Sequence, residues 1–271
     1  MLYDNRLKQA IGEGREVFGV LASIPAAASI ELIGEAGFDF VVIDTEHVMI
    51  NPETVEHMIR TAERYRLTPL VRVPDGDPKR MLRLLDAGAQ GIVLPQVEDA
   101  ATVRDAVSAC KYAPEGRRSL NAGRPGSFGR TSLADYVGHA NDTVMVVAMI
   151  ETERGVTNIE AIAAEPGLDL VLEGAADLSQ SLGVSWQTNH PHVQAALAHA
   201  ASVSLAHGVA WCTFLRHDGD GPRWRARGVT TFMLGDERGI AFRALMQARR
   251  QAQTSLAGAD PAAGHPDQEN S

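Results

Sequence analysis

The sequence predicts an α/β fold, a (β/α)8 TIM barrel built as a single domain over residues 1–255. Three observations carry that prediction. Short apolar runs alternate with amphipathic stretches eight times along the chain. Most connections are short, which implies parallel strands joined by right-handed crossovers. The length of 271 residues suits a barrel of roughly 250 residues. The competitor, an open doubly wound sheet, normally shows a Gly-rich fingerprint after its first strand, and none is present.

Residues 4–15, DNRLKQAIGEGR, read as a short polar helix closing the bottom of the barrel. EVFGVLAS is the first strand. Pro25 and three alanines lead into a helix with Ile30, Leu32 and Ile33 on its apolar side, and Gly37 ends it as a C-cap. FDFVVIDTEH is the second strand, and Asn51-Pro52 starts the next helix with Pro at its first position. TPLVRVP and DPKRMLRLLDAG form the third unit, GIVLPQV and EDAATVRDAVSACKY the fourth. Residues 113–142 break the rhythm as a long Gly-, Ser- and Arg-rich loop, and loops of that length tend to be functional. TVMVVAMIE with a helix around VTNIEAIAAEPG resumes it, followed by LDLVLEGA and HPHVQAALAHAASVSLAHG. VAWCTFL, DGPRWRARG, VTTFMLGDE and RGIAFRALMQARRQAQ complete the count. Residues 256–271, without apolar periodicity, are expected to be a disordered tail.

Composition narrows the function. A net charge of −9 argues against nucleic acid or an anionic membrane as partner. Cys110 and Cys212 lack any CxxC spacing, so neither a disulfide framework nor a zinc ribbon is indicated. The N-terminus lacks the apolar core of a signal peptide and no run approaches a membrane span, so a cytoplasmic location is expected.

Reactive groups of such a barrel lie at the C-terminal ends of its strands. The second strand ends in Asp44, Thr45, Glu46 and His47, and the third carries Arg72. The fifth ends at Glu151, and the sixth leads to Glu173 and Asp177. Adjacent parallel strands lie about 5 Å apart, so Glu151 and Asp177 can share one small cation. Oxygen-only ligation suits Mg or Mn with water completing the shell; the bland alternative is two solvated acids. Asp44 and His47 look like an oriented general base, a carboxylate fixing the imidazole tautomer. The alternative is a surface His in a loop. Arg72 suits a substrate carboxylate or enolate, gripped in bidentate fashion, or else a rim ion pair. Glu173 fits a ligand, a supporting group or an Arg partner, and the spacing does not choose. Ser23, Ser127 and Ser132 lack a GxSxG context. Lys8, Lys79 and Lys111 end no strand, which disfavours a Schiff base.

In order, FVVIDTEH, LVRVP, GAQGIVLPQVED, HAND, MIETERGVTNIEAIAA and GAADLSQSLG resemble the HpcH/HpaI aldolase/citrate lyase family over most of residues 5–250. The resemblance implies a homo-oligomeric barrel whose last helix is exchanged between neighbours. It implies a divalent cation on Glu151 and Asp177, Arg72 on the keto acid, and His47 with Asp44 in proton transfer. Two departures stand out. Met149 replaces the usual Gln, and Glu173-Gly174-Ala175 replaces the usual Gly-Pro before Ala176-Asp177. These positions, Glu173, Gly174, Ala175 and Ala176, line the substrate site in the family. The expected activity is therefore a metal-dependent carbon–carbon lyase acting on a 2-keto acid through an enolate. The departures look like a branch that condenses oxaloacetate with acetyl-CoA to citrate for siderophores. A non-catalytic keto-acid sensor is the alternative from another class.

Overall fold

The structure, a computed structural model, describes residues 4–257. Eight parallel strands close into a barrel, each paired with its sequence neighbour and the last with the first. They are β1 (Val17–Ala22), β2 (Phe40–Asp44), β3 (Thr68–Arg72), β4 (Gly91–Leu94), β5 (Met145–Ile150), β6 (Leu170–Glu173), β7 (Ala210–Phe214) and β8 (Thr231–Asp236). Around them run α1 (Arg6–Gly12), α2 (Ala27–Glu35), α3 (Pro52–Arg64), α4 (Pro78–Ala87), α5 (Ala100–Cys110) and α6 (Leu133–Thr143). The series continues with α7 (Glu153–Thr157), α8 (Ile159–Ala163), α9 (Ala175–Ser181), α10 (Pro191–Ala206), α11 (Asp220–Arg225) and α12 (Glu237–Ala257).

Side chains alternate across each strand, and the strands sort them cleanly. Phe40, Val42, Leu70, Val93, Met149, Leu172 and Met233 fill the interior with their neighbours. Val41, Ile43, Val71, Ala148, Ile150 and Val171 pack outward under the helices. One more step along the interior row arrives at Asp44, Arg72, Glu151 and Gly174. Gly19 faces inward beside its register partner Phe40, whose ring occupies the space a Cβ would need. The first helix plugs the bottom as expected: Leu7 and Ala10 join the interior layer. The Asn5 side chain donates to Thr143 O at 2.8 Å and Gln90 O at 3.1 Å.

Helix starts follow local chemistry. Asn51, Asp77, Asp99 and Ser132 each accept an N–H from the first turn, with proline at the first position of α3 and α4.

Three expectations are corrected. Residues 113–142 are not one loop: they include a 3-10 turn at Arg124–Gly129 and most of α6. Lys111 explains why. Its buried ammonium donates to the carbonyls of Asn141 and Val144, while the Asn141 side chain brackets the Tyr112 backbone at 2.7 and 3.0 Å. Arg124 grips Glu63 and Ala87 O in the last turns of α3 and α4, which ties the insertion to the barrel end away from the site. The helix expected around 156–167 is two short helices broken at Asn158, whose side chain donates to Glu98 O at 2.7 Å. Asp177 ends no strand; it lies in the first turn of α9, a helix that strand-end reasoning does not anticipate. The expected tail at 256–271 lies outside the described residues after Ala257. Among the described residues no helix is long and apolar enough to cross a membrane.

Candidate active site

Register brings the first pair together. Asp44 and Arg72 are direct partners across β2 and β3 and share the interior face. Arg72 is 5 % exposed and lies edge-on to Asp44, Nε to Oδ1 at 3.0 Å and Nη2 to Oδ2 at 2.9 Å. A buried guanidinium needs such a bidentate acceptor to offset its lost hydration. Its remaining edge is more loosely held. Nη1 lies 3.2 Å from Glu46 Oε2 and donates to the Met149 sulfur at 3.7 Å.

Glu151 follows β5 and is 2 % exposed. Its Oε1 accepts the Gln96 backbone N–H at 2.6 Å. Gln96 adopts a φ of 48°, a left-handed conformation uncommon for a residue with a Cβ, and this turn after β4 aims its N–H at the carboxylate. The other oxygen faces Gly174: a Cβ there would lie 2.5 Å from Glu151 Oε2. Glycine at 174 is thus required by the carboxylate beside it.

Electrostatics tie three acids into one group. Burial pushes Glu151 up to about 7, the Gln96 N–H and Arg72 oppose this, and Asp177 and Glu46 add to it. Burial also raises Glu46; Arg72 and His47 pull it down, and Asp44 and Asp177 push it up. Glu46 Oε2 is buried without a hydrogen bond. Asp177 is exposed at the mouth. Among the described residues no three His, Cys, Asp or Glu side chains form a ready cation cage. What is present is a set of mutually repelling carboxylates, with Glu46 Oε2 held only by its ion pair to Arg72, which suits a hard divalent cation completed by water.

The remaining expected residues divide. Ala175 is buried and Ala176 half-buried at the start of α9, beside Gly174, whose N–H donates to Ile150 O at 2.9 Å. His47 is exposed. Its contact with Asp44 runs through its backbone N–H at 3.3 Å, and its Nε2 lies 3.8 Å from Glu46 Oε2. The carboxylate expected to orient its imidazole is committed to Arg72. Glu173 points away from the interior, on the outward row with Val171. Its Oε1 accepts from Thr213 Oγ1 at 3.0 Å, Phe214 N at 2.6 Å and Arg216 Nη1 at 2.6 Å. Of the three roles open to it, the structure supports the Arg partner. Gln96 and Arg216 are the residues that sequence reasoning misses. The first acts through its backbone, and the second lies beyond the apolar run of its strand, so neither carries a sequence signal.

The HpcH/HpaI aldolase/citrate lyase family model matches residues 18–244. The chain belongs to this family. As an HpcH/HpaI member it is a carbon–carbon lyase-type enzyme. It is 33 % identical over 257 residues to a 4-hydroxy-2-oxo-heptane-1,7-dioate aldolase of Salmonella arizonae, covering 94 % of this chain and 98 % of that one. A 5-keto-4-deoxy-D-glucarate aldolase of Shigella dysenteriae is 32 % identical over 247 residues, with coverage of 91 % and 95 %. Among solved structures, the citrate synthase SbnG superimposes with a TM-score of 0.86 at 43 % identity, covering 93 % of this chain and 99 % of that one.

Proposed function

We propose that this protein makes or breaks the carbon–carbon bond next to a 2-keto acid, with the enolate held beside Arg72. The observation that supports this most directly is the grouping of Glu46, Glu151 and Asp177 within electrostatic reach of one another, with Glu46 on the Nη1 edge of a buried guanidinium. A divalent cation, Mg or Mn, held by Glu151 and Asp177 would supply Lewis-acid polarisation of the keto oxygen. Asp44 fixes two N–H groups of Arg72, which leaves Nη1 aimed at the site to stabilise charge as it develops. His47, exposed at the rim, moves the proton of the hydroxyl group. Gly174 and the buried Ala175 let α9 start close against Glu151, and the half-buried Ala176 borders the reactant.

A second version of this chemistry is the condensation of oxaloacetate with acetyl-CoA to citrate. Greater identity to SbnG than to the two aldolases favours it, as does Met149 against Arg72 where a polar side chain would compete for Nη1. Both assays use the purified protein with Mg. Free CoA released from oxaloacetate plus acetyl-CoA selects the synthase, and pyruvate released from a 4-hydroxy-2-keto acid selects the aldolase. Tight keto-acid binding with neither turnover would sink both. We further propose a homo-oligomer, because Phe242, Leu245 and Leu256 on α12 are exposed apolar side chains that a second copy would cover.

A further inference from the structure

One carboxylate at the mouth of the barrel has no part in the chemistry above. Asp236 is the last residue of β8. The pairing of β8 with β1 starts regularly, with Val17 beside Thr231 and Gly19 beside Met233. The next pair is Leu21 beside Asp236, so three steps along β8 match two along β1. The extra residue is a β-bulge, and Gly235 takes it up with a φ of 99°, a left-handed conformation that glycine adopts without strain. In an unbulged strand Gly235 would stand beside Leu21 and Asp236 would join the outward row, because a one-residue slip moves a side chain to the other face. Register partners share a face, and Leu21 packs on the interior layer with Met233. The bulge therefore delivers an acid to the inner wall at the C-terminal end, where its side chain is 34 % exposed.

One of its two oxygens is committed. Oδ1 accepts the Gly239 N–H at 2.8 Å, which caps α12, and Arg238 Nε stands 3.7 Å from the same oxygen. Among the described residues Oδ2 accepts no hydrogen bond. The other acids of the mouth are occupied. Arg72 takes Asp44 and Glu46, and Glu151 and Asp177 serve the cation proposed above.

We infer that Asp236 is the catalytic base that removes a methyl proton from acetyl-CoA. This rests on the citrate-forming version of the proposed reaction. With the keto acid between Arg72 on β3 and the acids of β5 and α9, the wall left to the second reactant runs along β7, β8 and β1. The methyl proton passes to Oδ2, and the C–H electron pair becomes the enolate of the thioester. That pair forms the new bond to the keto carbon of oxaloacetate. The C=O pair moves onto the keto oxygen, which takes a proton from His47 in its protonated form. Water then cleaves the citryl thioester to citrate and free CoA.

The test uses Asp236→Asn, because asparagine caps a helix as well as aspartate does and lacks the basic oxygen. Two rates are compared on purified wild type and variant with Mg present. One is the release of CoA from oxaloacetate plus acetyl-CoA. The other is deuterium uptake from heavy water into the methyl group of acetyl-CoA, with malate, which cannot condense, in place of oxaloacetate. Asp236→Asn should lower both rates at least about a hundredfold, with the KM for oxaloacetate and the thermal midpoint near wild type. CoA release by the variant within about tenfold of the wild-type rate overturns the inference and leaves the synthase reading standing. A wild type that releases no CoA overturns that reading, and the inference with it. If the thermal midpoint shows that Asp236→Asn has lost its fold, Asp236→Ser, which also caps, decides on the same rates.

Discussion

Asp44 and Glu46 hold different edges of the Arg72 guanidinium, and the two contacts differ in strength. The Asp44 edge is a two-point fork at 3.0 and 2.9 Å, while Nη1 has a carboxylate at 3.2 Å and a thioether at 3.7 Å. Lysine cannot reproduce the fork. Arg72→Lys should lower kcat/KM on the order of a hundredfold to a thousandfold, the cost of one aimed electrostatic donor at about 3–4 kcal/mol. The loss should fall mainly on kcat. A purely structural ion pair would instead lower the thermal midpoint with kinetics near wild type, so both are measured on one variant. Glu151 carries the second residue-scale expectation. In the metal-free protein its pKa is raised to about 7 from an ordinary 4.5, so the folded state binds its proton more tightly than the unfolded chain. Its contribution therefore favours the fold at low pH and is lost as pH rises through about 7. A cation competes with that proton. Stabilisation by Mg should accordingly be larger at pH 8 than at pH 6, and Glu151→Gln should abolish both the shift and turnover. An equal Mg-induced rise in melting temperature at the two pH values would remove Glu151 from the cation site.

Among the elements, α6 shows most clearly what holds an insertion in place. One buried ammonium and one buried amide close its C-terminal end onto the residues after α5. Burial lowers the pKa of Lys111, as does Lys8, and Asp169 and Glu115 partly restore it. Replacing Asn141 by Ala leaves the buried Tyr112 N–H unpaired, while the Tyr112 carbonyl keeps the Gly116 N–H at 3.0 Å, so the cost is about 1–3 kcal/mol. Chemical denaturation should register that loss, whereas KM for the keto acid should stay near wild type because α6 packs at the far end of the barrel. A large change in KM would mean that the insertion reaches the site. The long sequence gap in the β/α rhythm is therefore structural in its contacts, despite a length that suggests function.

At the scale of the molecule, α12 is 21 residues long and presents Phe242 at 64 %, Leu245 at 71 % and Leu256 at 78 % exposure. A surface helix of a monomer would turn such side chains inward. Glu237 anchors its start, accepting the Ser23 N–H at 2.6 Å and the Ile24 N–H at 2.7 Å. Light scattering should give the mass of a multimer, and removal of residues 238–257 should lower it or leave the protein aggregating. A monomeric mass for the intact chain would remove the proposed oligomer.

The amino-acid sequence alone determined the barrel, the order of its eight units and the rim acids, because alternation and strand ends are local patterns. Parity along a strand decides which wall a side chain joins, and the apolar runs carry it. The placement of Asp44, Arg72 and Glu151 on one face was legible for that reason. Only the tertiary structure decided their partners. Asp44 has Arg72 and His47 within reach in sequence terms, and cross-strand register gave its carboxylate to the arginine. Glu173 lies one residue out of phase with Gly174, so its carboxylate turned to β7 and Arg216, more than forty positions away. Gln96 contributes a backbone N–H, which any residue except proline possesses, and its φ of 48° exists only once β4 and β5 are packed. Pairings of this kind depend on distances between strands, and those distances are set when the barrel closes.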